Sequence, residues 1–457
     1  GLGALCALYL SLRPHADWNA AWRRALGLIG LGLIAYAALA FDENTPTPSS
    51  YTLLPTVGAA LIILCASPAN LAGKLLGSRV PVAIGLVSYS LYLWHQPIFV
   101  FGRHLSLLPP GNGVILIEYV ALACVAWLSW RFVECPFRRK GRFTRKQVFA
   151  MAGAASVVLF TIGLIGHFTE GSFGIRRDFE AARRLDMRFA AQRGLGEACV
   201  DGLTSSAQCR TSDRPEILVW GDSFAMHLIP GLLASRPGAR IEQATAYTCG
   251  PVLGLAPIGG SYQRDWAENC IRNNDRVLAH LKATPSIKYV LMGTIFSTYV
   301  DSDWGWRVMR RDGSVSRPGR DGLRYFLATI HEIRKLGGEP VLVSPPPQSG
   351  FDLAHCTELA AYRRLSGAPC DFPLAKAEQL QAGELALLHR LEHEARVIWL
   401  TAAICPNGVC QPRIDDTFIY ADNAHLTAEG STYLGRKLDF YGYLKRGENA
   451  GGGLPQP

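Results

Sequence analysis

The chain has 457 residues, of which 49% are hydrophobic and 18% charged, with a formal net charge of +9. Its length exceeds one ordinary domain, and its mean hydropathy of +0.12 is high for a soluble protein of this size. The positive balance alone would suit a nucleic-acid partner, but its placement argues against one, because much of it sits in one block, Arg131 to Lys146, between two apolar segments where basic residues flank membrane spans.

The first 170 residues hold nearly all the long apolar runs. Predicted spans cover 1–12, 24–41, 52–67, 80–101, 113–132 and 147–168, so the partners include membrane lipids. The opening Gly1-Leu2-Gly3 lies inside an apolar run without an initiator Met or signal peptide, and a fragment of a longer protein is expected. The connections alternate in charge: Arg13 to Arg24 basic, Asp42 to Ser50 acidic, Lys74 to Arg79 basic, Gly102 to Gly113 nearly neutral, Arg131 to Lys146 strongly basic. The positive-inside rule then places loops 13–24, 69–79 and 133–146 in the cytoplasm and everything after about residue 168 on the other face.

The remainder divides into 169–214, a polar linker that merges into a soluble domain near Cys199, then 215–445, and a flexible tail at 446–457. Eight of the twelve cysteines lie in this part, even in number and without a CxxC pair, which argues for disulfides in an oxidising compartment rather than for a metal. Nearest-neighbour pairing gives Cys199–Cys209, Cys249–Cys270, Cys356–Cys370 and Cys405–Cys410 as a hypothesis, since spacing does not fix connectivity. Runs with strand character (217–220, 287–292, 340–344, 397–400) alternate with runs of helical character (224–234, 273–283, 321–336, 374–394). The expected fold class is a multi-pass α-helical membrane domain followed by an α/β domain with a mainly parallel sheet.

In such sheets, sites form at the carboxyl ends of strands. Gly221-Asp222-Ser223 has that address, between the apolar run Ile217 to Trp220 and a helix, where backbone N–H groups can stabilise an oxyanion. A serine hydroxyl needs a positioned base, and the base an orienting acid. Asp422 and His425, three apart just before a predicted helix, supply them. Ser223, His425 and Asp422 are therefore the candidate catalytic set. His227 is a rival base, but four residues along from Ser223 it is expected beside the serine as a packed or solvated side chain. Trp304 and Trp306 stand in a polar-aromatic insertion, 297–320; they could stack on a sugar or belong to a surface loop.

Gly221-Asp222-Ser223 near the start of the α/β part and Asp422-x-x-His425 near its end resemble the SGNH (GDSL-type) esterase superfamily. Gly85-Leu-Val-Ser88-Tyr89-Ser-Leu-Tyr92-Leu-Trp94-His95-Gln-Pro97 and Arg131-Phe-Val-Glu134-Cys-Pro136-Phe137-Arg138 resemble the last two spans of acyltransferase family 3 membrane proteins. The tandem is similar to bacterial fusion proteins that O-acylate cell-surface polysaccharides. The resemblance implies residues 1–146 as the end of the membrane acyltransferase, without its early spans, and 147–168 as an additional span. It implies Ser223 as nucleophile, His425 as base, Asp422 as orienting acid, and the N–H groups of Ser223 and Gly250 as oxyanion donors. His95 matches a membrane-domain position. Where the wider superfamily has Gly-x-Asn-Asp, this chain reads Gly293-Thr294-Ile295-Phe296, so the oxyanion hole is incomplete or built differently.

The implied function is O-acyl, and specifically O-acetyl, transfer at a bacterial inner membrane to a surface or secreted glycan. An acyl-CoA donor, acetyl-CoA, serves as co-substrate, with no bound cofactor and an extracytoplasmic SGNH-like domain. A membrane-anchored carbohydrate esterase and a glycan-binding domain with a vestigial triad are the rivals.

Overall fold

A computed structural model describes residues 1–12, 20–42, 45, 49–109, 111–139, 141–169, 183–300 and 305–446. The chain divides into two compact units, the first made of Gly1–Leu105 and Pro110–Val158, the second of Ser106–Pro109 and the chain from Leu159 onward.

All six predicted spans fall on helices of the described chain: Leu2–Leu12, Ala20–Ala40, Leu53–Cys65, Arg79–Leu105, Asn112–Ser129 and Arg145–Phe168. Among the described residues, three helical stretches combine the length and apolarity needed to cross a membrane: Ala21–Ala40, Asn112–Arg138 and Arg145–Phe168. This narrows the expectation of six. Leu53–Cys65 has 13 residues, which at about 1.5 Å per residue falls short of a core of about 30 Å. Helices Ala20–Ala40 and Leu53–Cys65 meet where a Cβ on Gly30 would lie 2.7 Å from the Gly58 carbonyl and one on Gly58 2.8 Å from the Gly30 carbonyl. Small residues let apolar helices approach closely where lipid offers no hydrophobic drive. Further on, the buried Ser90 hydroxyl donates to Glu134 Oε2 at 3.0 Å, and Glu134 also accepts from Arg138. Glu134 closes a π-helical turn, Trp130–Glu134.

The second unit is built on a five-stranded parallel sheet: β1 (Ile217–Gly221), β2 (Ile241–Thr245), β3 (Tyr289–Gly293), β4 (Glu339–Val343) and β5 (Arg396–Ile398), in the order β2-β1-β3-β4-β5. Because side chains alternate along a strand, each strand feeds two cores. Ile217, Val219, Leu291, Val341 and Ile398 face one, with the helices on either side of the His425 loop. Leu218, Trp220, Val290, Met292, Leu342 and Val397 face the other. Both faces are covered, so the strands read as apolar runs rather than as an alternating pattern.

The apolar strands lie where the periodicity places them, but β2 was not predicted. Its sequence, Ile-Glu-Gln-Ala-Thr, is polar, yet all five residues are buried. The Gln243 side chain accepts from the Leu195 N–H at 2.7 Å and donates to the Cys199 carbonyl at 3.1 Å, so residues 195–199 cover this sheet edge. The helix predicted at 224–234 is two helices, Ser223–Met226 and Ile229–Ser235, with Pro230 in the first turn of the second. All four nearest-neighbour cysteine pairs are disulfide-bonded.

Candidate active site

Gly221 ends β1 with φ +151°, and a Cβ there would lie 1.9 Å from the Gly293 carbonyl of the adjacent strand. Only glycine fits so close an approach in that conformation. The chain turns at once: Asp222 is extended and caps the next helix through a hydrogen bond from the Phe224 N–H to its Oδ1 at 2.9 Å. Ser223 is the first helical residue, so its N–H lies among the amides that have no partner within the helix.

Asp222 is fully buried. Its Oδ2 accepts from the Thr294 hydroxyl at 2.6 Å and the Ile295 N–H at 3.1 Å. Burial pushes its carboxyl above the ordinary aspartate value, against the pull of those hydrogen bonds and of His425. Thr294 and Ile295, which stand where the superfamily pattern has x-Asn, thus pin the turn that carries Ser223. Sequence reasoning missed this use of Thr294, because it appears only once β1 and β3 align Gly221 with Gly293.

The second half of the site comes from the loop before helix Ala428–Leu438. A bridge between Tyr420 and Leu426 closes that loop, and the buried Tyr420 hydroxyl donates to the Pro347 carbonyl at 2.7 Å. Asp422 Oδ1 accepts from the N–H groups of Ala424 and His425, both at 2.7 Å, while Oδ2 lies 2.7 Å from His425 Nδ1. Burial works to raise the Asp422 carboxyl, but the hydrogen bond and charge of His425 and the two backbone donors bring it down to about 2. Helix Ile229–Ser235, which follows the serine, packs on helix Ala428–Leu438 through a glycine contact. A Cβ on Gly435 would lie 2.1 Å from the Gly231 carbonyl, and Gly231 N–H donates to Ser431 Oγ at 2.9 Å.

These two anchored segments bring Ser223 Oγ to 2.8 Å from His425 Nε2. With an ionised Asp422 accepting from Nδ1–H, the imidazole presents its Nε2 lone pair to the serine hydroxyl. The arrangement can take a proton from a serine attacking a carbonyl and return it to a leaving group. His425 and Asp422 side chains are 32% and 44% exposed, so the site is open to solvent.

Other candidate residues lie elsewhere or are otherwise engaged. The Gly250 N–H donates to the buried Tyr299 hydroxyl at 3.1 Å, which removes it as a free oxyanion donor and corrects that expectation. Trp306 packs over Gly259, 6.1 Å between ring centres from Tyr262, and Trp304 lies outside the described residues. His95, in the first unit, has its Nδ1 against the carbonyl of Tyr92 one turn back. Among the described residues no group of three or more His, Cys, Asp or Glu could hold a metal ion.

Residues 196–440 match the model of the family described as the SGNH domain (fused to AT3 domains). The chain belongs to this SGNH family. The O-acetyltransferase OatA of Staphylococcus aureus strain MRSA252 is 37% identical over 109 residues, covering 22% of this chain and 18% of the relative. A second S. aureus protein, of strain COL and named as a candidate O-acetyltransferase, is 27% identical over 238 residues, covering 46% of this chain and 38% of the relative. The SGNH chain thus spans well under half the length of the curated relatives it matches. A solved structure, the periplasmic domain of a lipopolysaccharide acetyltransferase from Salmonella ser. Paratyphi A, aligns with 59% of this chain and 98% of its own at a TM-score of 0.39 and 15% identity.

Proposed function

We propose that the protein is a membrane O-acetyltransferase that modifies a bacterial cell-surface or secreted glycan, with Ser223 as nucleophile, His425 as base and Asp422 as orienting acid. The observation that carries the reading is the relay from Ser223 Oγ to His425 Nε2 at 2.8 Å and from His425 Nδ1 to Asp422 Oδ2 at 2.7 Å. It is supported by the names of the S. aureus relatives, which are O-acetyltransferases. The apolar helices before the SGNH domain correspond to the end of an acyltransferase family 3 membrane part, in a bacterial inner membrane. They deliver an acetyl group drawn from acetyl-CoA, and the four disulfides suit a catalytic domain on the extracytoplasmic face.

In the first half-reaction Ser223 Oγ attacks the acetyl carbonyl and its proton passes to His425 Nε2. The tetrahedral intermediate collapses, the donor's leaving group takes that proton, and Ser223 is left acetylated. In the second, a sugar hydroxyl attacks the ester, His425 takes its proton, and Ser223 leaves as the alkoxide and recovers it. With water in place of the sugar the same steps make an esterase, and the exposure of Asp422 and His425 favours that second reading.

The test is Ser223→Ala in the full-length protein, with O-acetyl groups on the surface glycan measured by mass spectrometry. Loss of acetylation at a normal protein level is expected, whereas wild-type acetylation would refute the role given to Ser223. An isolated acetylated glycan that loses acetate faster than a free glycan gains it would favour the esterase.

A further inference from the structure

One ionisable side chain beside the relay takes no part in that scheme. His227 stands at the carboxyl end of the short helix begun by Ser223 and is 2% exposed. Its Nδ1 lies 3.2 Å from the backbone N of Leu426, the residue after His425. An amide only donates, so Nδ1 is the acceptor and a neutral ring carries its proton on Nε2. Burial pushes His227 well below the ordinary imidazole value, His425 adds to this, and Asp422 opposes it; these two are the titratable groups that face it.

The ring also forms part of the wall that confines the base. His227 meets His425 edge to face, with ring centres 5.9 Å apart and planes at 79°. Phe224 lies against both, 5.3 Å from His227 and 4.6 Å from His425. Beyond the Ser223–His425 contact itself, the segment that carries the serine therefore grips the loop that carries His425 through one hydrogen bond and two ring contacts.

We infer that His227 is a positioning residue: as a neutral, Nε2-protonated imidazole it anchors the Leu426 amide and, together with Phe224, holds His425 Nε2 within reach of Ser223 Oγ. This rests on the acyl-transfer reading of the site. A proton on Nδ1 would set a donor against the Leu426 donor and a second cation beside His425, so the neutral tautomer is the one that serves. A slip of about 1 Å in the base costs on the order of 100-fold in rate, and the His227 contact is the tie that opposes such a slip.

The experiment uses the full chain in detergent with p-nitrophenyl acetate as acyl donor, beside Ser223→Ala. His227→Leu removes the acceptor at similar bulk; kcat is expected to fall about 30- to 100-fold with KM changed by less than about twofold. His227→Asn places an amide oxygen near the position of Nδ1 and is expected to recover most of the lost rate. Equal loss in both variants, or loss in neither, overturns the inference. Nitrogen-15 spectra of histidine-labelled wild-type protein test it without any variant: an unprotonated Nδ1 at neutral pH supports it and a protonated one refutes it. Full activity in Ser223→Ala would instead overturn the acyl-transfer reading, whereas a dead Ser223→Ala beside an unimpaired His227→Leu would sink this inference alone.

Discussion

The turn after β1 and the loop before helix Ala428–Leu438 each place an aspartate beside the Ser223–His425 pair, and the two are treated in opposite ways. Asp222 is fully buried, receives three hydrogen bonds from Phe224, Thr294 and Ile295, and is pushed up by its burial. Asp422 is nearly half exposed, accepts from His425 Nδ1–H, and is held down to about 2. The same side chain is thus a structural pin in one segment and, on the proposed function, an electrostatic guide in the other. Burial and partners decide which, not residue type.

The largest effect is expected from removing the guide. Asp422→Ala should lower acetyl transfer about 10²–10⁴-fold, because the imidazole loses the acceptor that fixes its tautomer. The melting temperature should stay close to wild type, since an exposed pair contributes little to stability. Its pH dependence has a definite sign. The folded value is lowered, so the contribution of Asp422 is fully present above the unfolded value of about 3.9 and is lost as the pH falls through about 2. A variant that unfolds as readily as it loses activity would erase the distinction between guide and pin.

Removing the pin should act mainly on stability. Asp222→Ala leaves the Thr294 hydroxyl and the Phe224 and Ile295 amides without their acceptor, at a cost of about 2–4 kcal/mol. Urea unfolding followed by fluorescence reads this, and an unchanged midpoint would show that Asp222 is not structural. Its pH sign is opposite to that of Asp422. With the folded value raised, the contribution is present below the unfolded value and is lost as the pH rises through the folded one.

The contrast also explains what was legible in the sequence. Ser223, Asp422 and His425 could be read because each sits in a short local pattern, and β1, β3, β4 and β5 because both faces of the sheet are covered and their residues are apolar. The pin could not be read, since Thr294 meets Asp222 only through the register of two strands separated by more than sixty residues. Gly250 was misplaced for a similar reason: nothing in Thr248-Cys249-Gly250 signals that Tyr299 will fold back to take its N–H. Strand β2 was hidden because its buried Gln243 is satisfied by Leu195 and Cys199 rather than excluded from the core. Local chemistry is written locally, whereas hydrogen bonds across the sheet await the fold.

A third carboxylate separates burial from partner as the deciding factor, with the smallest expected effect. Glu242 on β2 is 5% exposed, nearly as buried as Asp222, but its partner is ionisable: His280 Nε2 lies 2.9 Å away. The hydrogen bond to Glu242 raises His280 above its ordinary 6.5, despite partial burial and the nearby Arg210. Because the folded value is raised, the pair's contribution is fully present below the unfolded value of about 6.5 and is lost as the pH rises through the folded value. Wild-type melting temperature should therefore decline slightly from mildly acid to mildly alkaline pH, and His280→Gln, which keeps a donor but cannot titrate, should flatten that decline. A slope that survives His280→Gln would assign the pH response to other groups and return the decision to burial. A slope that disappears would assign the pH response to His280 through its hydrogen bond with Glu242.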